Sequence, residues 1–141
     1  MFMGMYEHTL DAKGRTIVPA KMRELLGDKA IVTLGMDECL YVYPEDEWEK
    51  VVDKLRTLPG TKEARILLRR FMSCAIECDI SNQGRILIPE NLRDMAGLTK
   101  DVVFSGALNK IELFSKERWD EMQFDDMDAI AENMAQFGIS F

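Results

Sequence analysis

The sequence predicts an α+β fold made from one β-β-α-β-β-α unit used twice. Three observations carry this reading. The stretch "LDAKGRTIVP" at 10–19 returns as "ISNQGRILIP" at 80–89. Short β-branched runs bounded by Gly and Pro alternate with segments of helical spacing. Trp48 and Trp119 follow matching strand ends, "LYVYP" and "IELFS".

The repeat extends well beyond the quoted stretch. At an offset of 70, Gly14, Arg15, Pro19, Arg23 and Gly27 meet Gly84, Arg85, Pro89, Arg93 and Gly97. One inserted residue then gives an offset of 71, which pairs Gly35 with Gly106, Leu40 with Ile111, Tyr43 with Phe114 and Trp48 with Trp119.

Each element follows from local chemistry. "EHTL" and "IECDI" read as strands entering the turns "DAKG" and "SNQG". Gly14 and Gly84 supply the positive φ such turns need. "RTIVP" and "RILIP" are β-branched, apolar strands. Pro19 and Pro89 close them and suit the first turn of a helix. The helices "AKMRELLG" and "ENLRDMAGL" follow, closed by glycine. Strands "KAIVTLG" and "DVVFSGA" come next, then turns, then "CLYVYP" and "IELFS".

Four short strands and one short helix make a poor core alone. Two units can complete each other within one chain, and strand exchange is one way to do so. Between them, Trp48, Val51, Val52 and Leu55 keep helical spacing until Pro59-Gly60 breaks it. Residues 61–75 form a second helix. The segment after unit two reads as one acidic C-terminal helix. The expected division is 5–47 for unit one, 48–75 for a helical connection, 76–119 for unit two and 120–141 for the acidic helix.

Composition bounds the function classes. The 141 residues carry a net charge of −7, which by itself argues against nucleic acid. The charge is uneven. From Glu112 onward there are eight acids and two bases, whereas His8 to Arg23 holds four bases and one acid. No apolar run is long enough for a membrane span, and the N-terminus lacks the pattern of a secretory signal. Cys39, Cys74 and Cys78 fit a reduced, intracellular chain, and as small buried side chains rather than zinc ligands. There is no nucleophile–base pair, no metal-spaced cluster and no phosphate loop, so the chain reads as a non-enzyme without cofactor or metal.

The first turn has the chemistry of a nucleic-acid contact. Arg15 is a planar fork suited to phosphate oxygens or a guanine edge. Lys13 at the turn tip can reach a phosphate. Asp11 can hold Arg15 across the turn, and Gly14 leaves room for a backbone amide to approach DNA. A surface hairpin with an ion pair worth about 0–1 kcal/mol satisfies the same residues. His8 reads as a strand residue three positions before the motif, and Arg69-Arg70 as a solvated helix face. Arg23 and Arg93 are equally readable as a repeated ion pair or as DNA contacts. The methionines of "MFMGM" suit packing between subunits.

These motifs, "EHTLDAKGRTIVPAKMRELLG", "FMSCAIECDISNQGRILIPENLR" and the start "MFMG", resemble the MraZ family of bacterial transcriptional regulators over nearly the whole chain. The resemblance implies two AbrB-like swapped-hairpin units forming a double-split β-barrel with peripheral helices. It implies a ring-shaped homo-oligomer in the cytoplasm at the nucleoid. Its loops would bind short direct repeats in double-stranded DNA, upstream of the division and cell-wall gene cluster that includes its own gene. Carried over, the DNA-binding residues are Asp11, Lys13, Gly14 and Arg15 in the first loop and Gln83, Gly84 and Arg85 in the second.

The second loop departs from the family pattern, with Ser81 for the usual aspartate and Asn82 for the usual lysine. Ser81 can accept from Arg85 but carries no charge. Without a lysine the loop lacks one phosphate contact, which lowers the salt slope of binding by about one unit. The first loop is therefore expected to carry most of the contact. The competing classes are a ring-forming scaffold and an antitoxin-like interaction protein. An antitoxin would usually show one unit and a disordered tail.

Overall fold

The computed structural model describes residues 1–122 and 126–140. Unit one contributes β1 (Met5–Thr9), β2 (Arg15–Ile17), α1 (Ala20–Leu26), β3 (Lys29–Leu34) and β4 (Leu40–Pro44). Helices α2 (Glu45–Arg56) and α3 (Lys62–Cys74) follow. Unit two repeats the order with β5 (Ile76–Asp79), β6 (Arg85–Leu87), α4 (Glu90–Met95), β7 (Asp101–Gly106) and β8 (Ile111–Ser115). Helices α5 (Lys116–Glu121) and α6 (Met127–Ala135) end the described chain.

The two units exchange strands. The main sheet is antiparallel with order β1-β7-β8-β4-β3-β5, and β2 pairs with β6 in a separate ribbon. Thus β1 of unit one lies on β7 of unit two, and β5 of unit two lies on β3 of unit one. Exchanging the unit labels reverses the strand order without changing it, so the sheet has internal pseudo-two-fold symmetry. Each unit's first hairpin closes the other unit, which is the swapped-hairpin arrangement. The entry bonds repeat as well: Leu10 N–H donates to the Lys100 carbonyl at 2.7 Å, and Ile80 N–H to that of Asp28 at 2.8 Å.

Two cores lie on the two faces of the sheet. Between sheet and ribbon, Val18, Ile86, Ile88, Met22 and Leu92 pack against Val32, Leu40, Phe104 and Leu113. Burying such side chains is the main favourable term in the fold. On the other face, Ile31, Tyr41, Tyr43 and Phe114 are covered by Leu55 of α2, Phe71 of α3 and Trp119 of α5. The repeat places the same aromatic pair on each unit. Tyr43 meets Trp48 with ring centroids 5.6 Å apart, and Phe114 meets Trp119 at 5.7 Å.

Two details of the alignment change. The ladder pairs Leu34 with Leu40 and Gly106 with Ile111, so Gly106 is the counterpart of Leu34, not of Gly35. The offset between β3 and β7 is therefore 72. The tail after Ser115 is not one helix. Ser115 caps α5, and Asp126 starts α6 by accepting from the backbone N–H groups of Asp128 and Ala129. Residues 123–125 and 141 of the expected C-terminal helix lie outside the described residues. No described residue of 126–140 is buried.

The three cysteines are free, and Cys39 and Cys78 are buried. Burial pushes the Cys39 thiol up to about 12 and that of Cys78 up to about 11, which leaves both protonated and inert. Among the described residues no helix is long and apolar enough to cross a membrane, and no His/Cys/Asp/Glu group could hold a metal ion.

Candidate nucleic-acid interface

The first turn is organised by Asp11. One carboxylate oxygen accepts from the backbone N–H groups of Lys13 and Arg15, both at 2.9 Å. The other accepts from Arg15 Nε at 2.8 Å. These bonds to its charged form, the Arg15 backbone N–H foremost, hold the Asp11 carboxyl down to about 2. The turn is closed by Gly14 N–H donating to the Asp11 carbonyl at 3.0 Å. Arg15 is thereby aimed while remaining exposed, and Lys13 is exposed at the tip.

The second turn keeps the backbone and loses the clamp. Ser81 N–H donates to the Arg85 carbonyl at 2.9 Å and Gly84 N–H to the Ser81 carbonyl at 2.8 Å. The Ser81 hydroxyl accepts from the Arg85 backbone N–H at 3.0 Å. It does not reach the guanidinium, because a serine side chain ends one atom short of the two-oxygen fork of aspartate. Gln83 stays exposed and lines a shallow depression with Arg15, Ser81 and Arg85.

The structure merges the two loops into one surface. In the ribbon Arg15 faces Leu87, Thr16 faces Ile86 and Ile17 faces Arg85. Alternation puts Thr16 and Ile86 inward and the other four residues outward. The two arginines stand diagonally across the ribbon, about 7–8 Å apart by ladder geometry. His8 packs edge-on against Phe104 and lines a second depression with Asp11, Arg15, Ile17 and Arg85.

The glycines supply the positive φ expected of them and also a close packing between the units. Gly14 and Gly84 are buried, with φ of 88° and 83°, and neither leaves its amide open to a ligand. The space beside Gly14 is filled by Arg93 and the space beside Gly84 by Arg23. The Gly14 carbonyl accepts from Ile88 N–H at 2.8 Å, and that of Gly84 from Val18 N–H at 2.9 Å. The glycines thus let each turn dock on the opposite unit. The amides on either side of Gly14, those of Lys13 and Arg15, are bonded to the Asp11 carboxylate. Arg23 and Arg93 form no ion pair among the described residues; they are the packing that fixes the turns. A glycine-to-arginine match at one offset could have signalled this, but nothing in the sequence says that the contact crosses between units.

The comparisons agree with this duplicated geometry. A family model described as "MraZ protein, putative antitoxin-like" matches twice, over 1–70 and 71–138. The chain belongs to the MraZ family. It is 57% identical over 141 residues to "Transcriptional regulator MraZ" of Lachnoclostridium phytofermentans, covering all of both chains. The protein of the same name from Clostridium beijerinckii is 51% identical over 142 residues, covering 99% of this chain and 100% of that one. That of Caldanaerobacter subterraneus subsp. tengcongensis is 49% identical over 143 residues with the same coverage. Within this chain, the clamp of the first loop is complete and that of the second is reduced to a backbone bond.

Proposed function

We propose that the chain is a sequence-specific, DNA-binding transcriptional regulator that reads the major groove with the β2–β6 ribbon. One observation carries this: two arginines from two repeated loops stand outward on a single exposed two-stranded ribbon. The major groove admits such a ribbon. The diagonal spacing of the arginines matches about two base-pair steps along one strand. The relatives, named as transcriptional regulators, support the same reading.

Within this reading Arg15 and Arg85 meet base edges, Lys13 meets a phosphate, Asp11 positions Arg15, and Gln83 lies beside Arg85. Gly14 and Gly84 act through the backbone. The targets are short direct repeats upstream of the division and cell-wall gene cluster, including the protein's own gene, bound by a ring-shaped homo-oligomer. Several ribbons on one DNA add avidity, which offsets the acidic net charge. Units 5–47 and 76–119 form the reading body, and 48–75 connects them. The site of action is the cytoplasmic nucleoid.

The test is a binding titration against DNA upstream of the protein's own gene, with scrambled DNA as control, at two salt concentrations. Tight, salt-sensitive binding that requires the repeats and is abolished by Arg15→Ala is the expected result. Equal binding to scrambled DNA, or an unaffected variant, would move the function to a scaffold or antitoxin-like protein.

A further inference from the structure

The ribbon's amphipathic pattern is reversed in β2. The polar Thr16 is buried, and its hydroxyl has no hydrogen-bond partner among the described residues. The apolar Ile17 beside it is 45% exposed. In β6 the counterpart Leu87 is 52% exposed. Burial energetics favour the opposite choice, since an inward aliphatic is stabilising and an unpaired buried hydroxyl is costly. Both units nevertheless place an aliphatic at the same outward position.

The ladder sets these two side chains beside the two arginines, Leu87 across from Arg15 and Ile17 across from Arg85. Each end of the ribbon therefore presents one guanidinium and one aliphatic group side by side. In the major groove the one apolar feature among base edges is the C5-methyl of thymine. We infer that Ile17 and Leu87 contact thymine methyl groups next to the bases met by Arg85 and Arg15, and so add an apolar component to sequence selection. This rests on the proposed reading of the ribbon as a major-groove element. It assigns to the ribbon's strands a selectivity beyond that of the turns.

Deoxyuridine removes the methyl and keeps the base pair, so it tests the contact without altering the protein. Wild-type full-length chain is titrated with three duplexes of the upstream DNA: unmodified, uracil within the repeats, and uracil confined to the flanks. The expected result is about a fourfold loss of affinity for each contacted methyl removed within the repeats. Uracil in the flanks has no effect. A variant carrying Ile17→Ala and Leu87→Ala binds the unmodified and repeat-uracil duplexes alike. Equal wild-type affinity for those two duplexes overturns the methyl contact and leaves the DNA-binding reading standing. So does full methyl preference in the double variant. Failure to bind the unmodified duplex overturns both.

Discussion

Arg93 of unit two lies against Gly14 of unit one, and a Cβ placed on Gly14 would stand 2.6 Å from Arg93 Nε. The same Cβ would stand 2.6 Å from the Ile88 carbonyl oxygen, which belongs to the backbone and cannot swing aside. Gly14 also holds φ at 88°, a conformation that costs an L-residue roughly 1–2 kcal/mol. Gly14→Ala is expected to destabilise the fold by at least that amount, measured by urea denaturation. Gly84→Ala meets only Arg23 side-chain atoms at closest approach and should cost less. Equal stability of Gly14→Ala and wild type would show that the turn does not need this packing.

The two helix arginines are not equivalent. Arg93 Nε donates to the Ile88 carbonyl at 2.9 Å, whereas Arg23 Nε is buried without a partner among the described residues. Methionine keeps most of the aliphatic packing and removes the donor. Arg93→Met is therefore expected to lose about 1 kcal/mol more than Arg23→Met, since only the former breaks a made bond. Parallel denaturant curves of the two variants measure the difference, and a larger loss for Arg23→Met would refute the ranking.

Asp11 makes the first turn acid-sensitive in a defined window. Its carboxyl is held down at about 2 against an ordinary 3.8. A depressed carboxyl contributes stability above its ordinary value and loses it as pH falls through the folded one. The stability gap between wild type and Asp11→Asn should thus be constant above about pH 5 and close as pH falls from 3.8 toward 2. Carboxyl NMR of Asp11 should show a midpoint near the lower value. A midpoint near 3.8 would mean that the bonds from the Arg15 backbone N–H, its guanidinium and the Lys13 N–H to Asp11 are not populated in solution.

Much of this was legible in the chain, for identifiable reasons. Turn chemistry marks Gly14, Gly84, Pro19 and Pro89 unambiguously, so the repeat and its order of elements follow from sequence. Period-two alternation says which face of a strand is buried but not which strand it joins. Exchange between units is legible as an expectation, but the particular pairings of β1 with β7 and β5 with β3, and the merging of both loops into one ribbon, therefore appear only in the fold. Glycine matching also misled once. Gly35 lacks a side chain because the Tyr41 ring crosses it, and Gly106 because the Phe2–Met3 backbone does. Two unrelated contacts mimic one repeat position.

The sharpest functional prediction concerns Ser81. In the first loop a carboxylate holds both the backbone and the guanidinium of Arg15; in the second, a hydroxyl holds only the backbone of Arg85. Arg85 must then lose side-chain freedom on binding that Arg15 has already lost on folding, at about 0.5–1.5 kcal/mol for such a side chain. Arg15→Ala is accordingly expected to weaken DNA binding more than Arg85→Ala. Ser81→Asp should pre-aim Arg85 and tighten binding by roughly two- to tenfold. The gain must vanish when Arg85→Ala is combined with it, because the introduced carboxylate then has no guanidinium to hold. Titrations of the two single variants and the double variant close the cycle. If Ser81→Asp gave no gain, or a gain that survived Arg85→Ala, the missing clamp would not be what separates the two loops.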